Sequence, residues 1–270
     1  CRGPARSPNR RRRLRVAGLF GRKPNLYSIP ADRSFVDSLA RGICDALGTA
    51  PDALIRATIL LPTRRACRSL AEAFLRLSSG DTMLLPRLLP LGDIDEDDLA
   101  FGDPDGAALG EGAATSAIAP AITGLRRQML LTRLILVDQP WGPTPDQAAA
   151  LALELGRLLD QVQTERLGFD LLAGLVPDEK NYSEHWQITL DFLKIVTERW
   201  PEILADEGCT DRAQRRNLLI EAQADAWQKR PPEHPIFAAG TTGSIPATAD
   251  LLAVIAALPQ GAVVLPGLDL

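Results

Sequence analysis

The sequence predicts an α/β protein on a parallel sheet, with a helical segment set between its first and last strands. Three observations carry this. Residues 24–92 contain two strand–loop–helix units in succession, each an apolar run ended by proline and followed by helical periodicity. From about 121 to 229 the apolar residues recur at spacings of three and four throughout. "PIFAAG" at 235–240 and "GAVVLPGLDL" at 261–270 then return to strands.

Each element has a local reason. "LYSI", 26–29, is a short strand ended by Pro30. Ser34 is placed to cap a helix with Phe35, Val36, Leu39, Ile43 and Leu47 on one face, closed by Gly48. Thr58–Leu61 is the second strand, ended by Pro62. Thr63 can cap the next helix, whose Cys67, Leu70, Phe74 and Leu77 face the core. Ligands of parallel sheets gather at the carboxyl ends of strands, where Pro30–Ser34 and Pro62–Arg65 fall. Residues 91–114 are acidic and Gly-rich and read as an exposed loop. Their Asp93, Asp95 and Asp97 do not make a calcium loop, because Asp98 stands where that loop needs Gly and Pro104 where it needs Glu. Four amphipathic segments follow, 122–136, 144–167, 183–200 and 211–230, punctuated by Pro143, Pro145, Gly168, Pro177, Pro201 and Gly208. The chain stops just after a core strand, which reads as the front part of a larger protein.

Charge is unevenly placed. Residues 1–23 hold nine of the 30 basic residues and none of the 34 acidic ones. Such a block cannot bury a core and is expected to be disordered, as upstream sequence or a fusion remnant foreign to the fold. No apolar run approaches the roughly 18 residues that cross a bilayer, so no membrane partner is expected. Cys1, Cys44, Cys67 and Cys209 form no C-x-x-C pair. That argues against a zinc knuckle or disulfide framework and fits a reducing cytoplasm.

Several chemistries are excluded by residue type. A phosphate-binding P-loop needs glycines and a lysine, but the loop after the first strand is Pro30, Ala31, Asp32, Arg33, Ser34. None of the four lysines (Lys23, Lys180, Lys194, Lys229) follows a glycine. "LILVDQP", 134–140, imitates a Walker B strand, yet Leu130, Leu131, Leu134 and Val137 recur at helical spacing. His185 and His234 are the only histidines, neither beside a nucleophile elbow, and no ligand spacing suggests a metal. Two candidates remain. Gly240, Thr241, Thr242, Gly243 and Ser244 offer glycine backbone and hydroxyls ahead of a helix, either as an anion loop or as a turn with hydroxyl caps. Thr63, Arg64, Arg65 and Arg68 place cations in a first helical turn, where the helix dipole disfavours them. Arg65, Arg68, Glu72 and Arg76 share one face, with Arg68–Glu72 an i,i+4 pair. Either the arginines are simply solvated, or a nucleic-acid phosphate sits there.

"LYSIPADRSFVDSLARGI", "LLPTRRACRSLAEAFL", "LLPRLLPLGDIDEDDL" and "FAAGTTGSIPATADLLAVIAALPQGAVVLPGLD" occur in this order. Together they resemble the N-terminal region of AddB proteins of the alphaproteobacterial type, over about residues 25–270. AddB is the second subunit of AddAB helicase–nucleases, which process double-strand breaks for recombinational repair. The resemblance implies a RecA-like parallel sheet of a degenerate superfamily 1 helicase domain with an inserted helical subdomain. It implies that "IPADRS" has lost the Walker A function and that Thr63, Arg64 and Arg65 inherit a grip on a DNA backbone. "GTTGS" would be a remnant of the motif linking nucleotide and DNA sites. The family's nuclease domain, and the iron–sulfur cysteines of some members, lie toward the C-terminus, so no cofactor is expected in this region. The implied partners are DNA, as a single strand or break end, and the AddA subunit.

The expected organisation is a basic leader (1–23), the first part of the α/β domain (24–92), an acidic linker (93–120), a helical insertion (121–232) and a return to the α/β domain (233–270). The alternative function is an α/β phosphate- or nucleotide-binding enzyme using the GTTGS loop. A scaffold for AddA without DNA contact is a third reading.

Overall fold

A computed structural model describes residues 24–48, 54–78, 82–91, 118–138, 142–167 and 195–267. The basic leader, Asp93, Asp95, Asp97, most of the acidic linker, Lys180 and His185 lie outside the described residues.

The first unit is β1 (Leu26–Ile29) and α1 (Phe35–Leu47). Helix α1 ends as its sequence demands: Gly48 takes φ 84° and its N–H donates to the Cys44 carbonyl. The second unit is β2 (Thr58–Leu61) and α2 (Arg64–Leu77), with Thr63 accepting the Ala66 N–H at 3.1 Å. Strand β3 (Arg87–Pro90) follows, which the sequence reading did not anticipate. Pro86 precedes it and Pro90 is its last residue, and proline is tolerated there because β3 is an edge strand paired to β2 alone.

The helical part comprises α3 (Gly124–Asp138), α4 (Pro145–Thr164), a π-helical turn (Ile195–Arg199), α5 (Trp200–Asp206) and α6 (Arg212–Lys229). "LILVDQP" therefore enters a helix, as its spacing required. Pro201 lies in the first turn of α5, which continues directly from the π-helical turn, so it falls inside a helical run rather than ending one. The chain returns through β4 (Ile236–Ala239), α7 (Pro246–Ala257) and β5 (Gly261–Pro266).

The five strands form one all-parallel sheet in the order β1-β5-β4-β2-β3, consistent with a RecA-like α/β fold. Alternate residues of each strand serve opposite faces. Ile59, Leu61, Phe237, Ala239, Ala262 and Val264 pack under α1 and α2, against Leu39, Ile43, Leu70 and Phe74. Leu60, Ile236, Ala238 and Val263 pack on α7 and the last turns of α6, against Leu251, Ile255 and Trp227. Burial on both faces explains why β2 and β4 read as unbroken apolar runs. A third core joins α3, α4 and α5 through Leu131, Ile135, Leu155, Leu159, Trp200 and Leu204. Among the described residues, no helix is long and apolar enough to cross a membrane.

The third core surrounds one charged network. Asp211 is fully buried and accepts hydrogen bonds from Trp200 Nε1 at 2.9 Å and Gln163 Nε2 at 2.7 Å. Arg127 Nε lies 2.8 Å from Asp211 Oδ1, a charge contact whose N–H is not aligned for a hydrogen bond. The same guanidinium donates to Asp160 at 2.8 Å. Helix α6 thus carries the buried carboxylate of the helical part at its start and a wall of the sheet's core at its end.

Candidate nucleic-acid interface

Because all strands run the same way, the loops after β1, β2 and β4 emerge at one edge of the sheet. Strand β2 leads into α2 on one face, whereas its neighbour β4 leads into α7 on the other. Adjacent strands whose connections depart to opposite faces leave a crevice between them, the place where open α/β sheets bind ligands. Thr63–Arg68 and Gly240–Ser244 flank that crevice.

On the β2 side, Pro62 ends the strand and Thr63 adopts the extended conformation of a cap, φ −144° and ψ 160°. Thr63, Arg64, Arg65 and Arg68 are all exposed. Among the described residues Arg65 and Arg68 have no acidic partner. The Arg68–Glu72 pair suggested by i,i+4 spacing is not formed. Arg76 instead crosses to α1, where its Nε donates to Asp37 Oδ1 at 3.2 Å and its Nη2 makes a closer contact. The first turn of α2 contains no acidic residue, so its arginines face an uncompensated helix dipole.

On the β4 side, Gly240 takes φ 74° and its N–H donates to the Val264 carbonyl at 3.0 Å. Gly243 takes φ 68°, and a methyl group there would lie 3.3 Å from Leu252 Cδ1. Both glycines are therefore required by backbone conformation and close packing, independently of any ligand. Ile245 is the N-cap of α7 and makes no side-chain cap hydrogen bond. Thr241, Thr242 and Ser244 are left at the crevice, with Thr242 and Ser244 exposed.

The β1 loop is a different environment. Pro30, Ala31, Asp32, Arg33 and Ser34 are all exposed. Ser34 caps α1 without a bond to the backbone, and its hydroxyl donates to Asp37 Oδ2 at 2.6 Å. That hydrogen bond first, and Arg76 second, hold the Asp37 carboxyl below its ordinary value. A helix start that binds phosphate offers bare N–H groups. Here a carboxylate with its own hydroxyl and guanidinium partners occupies the first turn and repels an anion. Sequence reading missed Asp37, although the Ser34-x-x-Asp37 spacing is a capping signature that marks it.

The loops are joined by packing. A methyl group on Gly240 would lie 3.3 Å from Phe35 Cε1 and 3.6 Å from Pro62 Cδ. The Gly267 N–H donates to Ile29 O at 2.8 Å, which closes β5 onto the β1 loop. The rim at this edge is thus continuous from β1 to β2, with Phe35 filling the space beside the β4 loop.

Among the described residues, no group of three His, Cys, Asp or Glu side chains is placed to hold a metal ion. No protein-family model and no curated protein matches this chain.

Proposed function

We propose that this chain is the N-terminal part of an AddB-type subunit of a DNA helicase–nuclease, a degenerate superfamily 1 helicase domain that holds a single strand by its backbone without hydrolysing ATP. The observation that carries the reading is the set of exposed arginines at the start of α2, beside the switch-point crevice, two of them without acidic partners. Cations in a first helical turn oppose the helix dipole by ~0.3–1 kcal/mol. An incoming phosphate reverses that sign by pairing with the guanidinium groups and meeting the helix N-terminus at once. The short β1 loop and Asp37 support the absence of nucleotide chemistry. The same edge presents Gly240–Ser244, which suits hydrogen bonding to a strand and leaves an anion-binding enzyme as the competing reading. Partnership with AddA and a role in double-strand break repair belong to this proposal through the sequence resemblance.

The test is binding of a labelled single-stranded oligonucleotide across a salt series. It uses both the full chain and the chain lacking residues 1–23, because the nine leader charges mask smaller effects. Arg64→Ala/Arg65→Ala weakens binding similarly for all sequences and lowers the salt slope by ~0.7 per lost contact. Unaltered affinity and slope in a folded double variant removes the nucleic-acid reading. Micromolar, saturable ATP binding would favour the enzyme reading.

A further inference from the structure

We infer that Pro86 and Pro90 close the outer edge of β3, so that a second copy of this chain cannot extend the sheet there. The reason lies in the register. The Arg87 N–H donates to Ala57 O at 2.9 Å and the Leu91 N–H to Leu61 O at 2.7 Å, at the two ends of the parallel pairing of Thr58–Leu61 with Arg87–Pro90. Backbone N–H groups alternate sides along a strand, so positions 87, 89 and 91 face β2, and positions 86, 88 and 90 face away from the sheet. Two of those three outward positions are proline, which has no N–H, and only Leu88 keeps a donor among them. The prolines are four residues apart, an even number, so both fall on the outward row and neither removes a bond to β2. A spacing of three or five would set one of them against β2 and cost the ladder a hydrogen bond.

The segment carries the composition that pairs edge to edge when nothing blocks it. Residues 83–91 hold six large apolar side chains (Met83, Leu84, Leu85, Leu88, Leu89, Leu91) and a single charge, Arg87. Among the described residues β3 pairs with β2 alone. Pro86 and Pro90 are themselves buried, on the face where Leu88 joins the core under α1 and α2, so their rings also fill space. Valine fills similar space, suits a strand and has an N–H, so the packing role and the blocking role separate by experiment.

The test is Pro86→Val/Pro90→Val on the full chain, followed by sedimentation velocity over a concentration series. Two restored outward donors tighten self-association about tenfold or more relative to the wild type. Should the double variant fail to fold, Pro90→Val alone is read in the same way, with one donor restored beside that of Leu88. Hydrogen exchange then separates edge pairing from aggregation of loosened chains. Edge pairing slows exchange at positions 88 and 90 as concentration rises, while the rest of the sheet exchanges as in the wild type. Association without that local protection overturns the inference, because the prolines would then serve packing alone. A folded variant that sediments like the wild type at every concentration overturns it as well.

Discussion

Replacing Asp211 by alanine measures how strongly the helical part depends on one buried charge. The carboxylate is 0% exposed and Trp200 1%. Removing it strands two donors, Trp200 Nε1 and Gln163 Nε2, each costing ~1–3 kcal/mol when buried and unpaired. It also takes one anion from Arg127, whose side chain is 13% exposed. Arg127 keeps Asp160 at 2.8 Å, so its charge is not left alone. The two donors come to ~2–6 kcal/mol, which brackets the ~3–5 kcal/mol for breaking a buried pair from one side. Asp160→Ala removes the other anion, but Asp160 is 46% exposed, so water screens the pair and the loss is ~1 kcal/mol or less. Urea unfolding at neutral pH, followed by circular dichroism, reads both as shifts in midpoint at unchanged slope. Equal losses in the two variants, or a loss under ~1 kcal/mol for Asp211→Ala, would refute the assignment of Asp211 as the organising charge of this core.

Other outcomes follow from the same contacts. Asp37, Glu207 and Asp146 are all held below their ordinary values: Asp37 by Ser34 and then Arg76, Glu207 by Arg126, and Asp146 chiefly by Thr144. Their contribution to stability is fully present above the unfolded carboxylate value near ~4 and is lost as pH falls through the lower folded values, so the melting temperature falls on acidification below ~pH 4. Asp37→Asn flattens that acid limb, and an unchanged limb would show that the Ser34–Asp37–Arg76 contacts do not persist in solution. The Cys44 thiol is pushed up, first by burial and then by Asp45, so it reacts slowly with a thiol reagent at pH 8, whereas urea exposes it; prompt reaction in the native state would contradict the packing of α1. Gly48→Ala, at φ 84°, destabilises the chain by ~1 kcal/mol, read from the thermal midpoint. Deletion of residues 1–23 leaves thermal stability unchanged and lowers nonspecific DNA affinity as nine cations depart, and a large stability loss would show that the leader packs on the domain.

Features that depend on near neighbours were legible before any fold was known. Leu26–Ile29 and Thr58–Leu61 were legible as strands because proline follows each short apolar run. The α1 boundaries were legible because its apolar residues keep one helical face and Gly48 can take the left-handed turn that stops it. Thr63 could be read as a cap because its bond reaches only three residues ahead. The absence of a lysine-bearing P-loop was equally local. Whatever depends on which element lies beside which came from the packing of the chain. Strand β3 was hidden because Pro86 precedes it and Pro90 ends it, and only its place at the sheet edge makes a strand acceptable there. Arg76 chose Asp37, thirty-nine residues away, over the nearer acid Glu72 on its own helix. Asp211 gave no signal of being buried, because its partners Arg127, Gln163 and Trp200 come from three separate helices. The crevice between Thr63–Arg68 and Gly240–Ser244 exists only because β4, arriving about 175 residues after β2, pairs beside it. Periodicity and capping are properties of a few consecutive residues, whereas strand order and charge pairing are settled by the packing of distant faces, which no local pattern encodes.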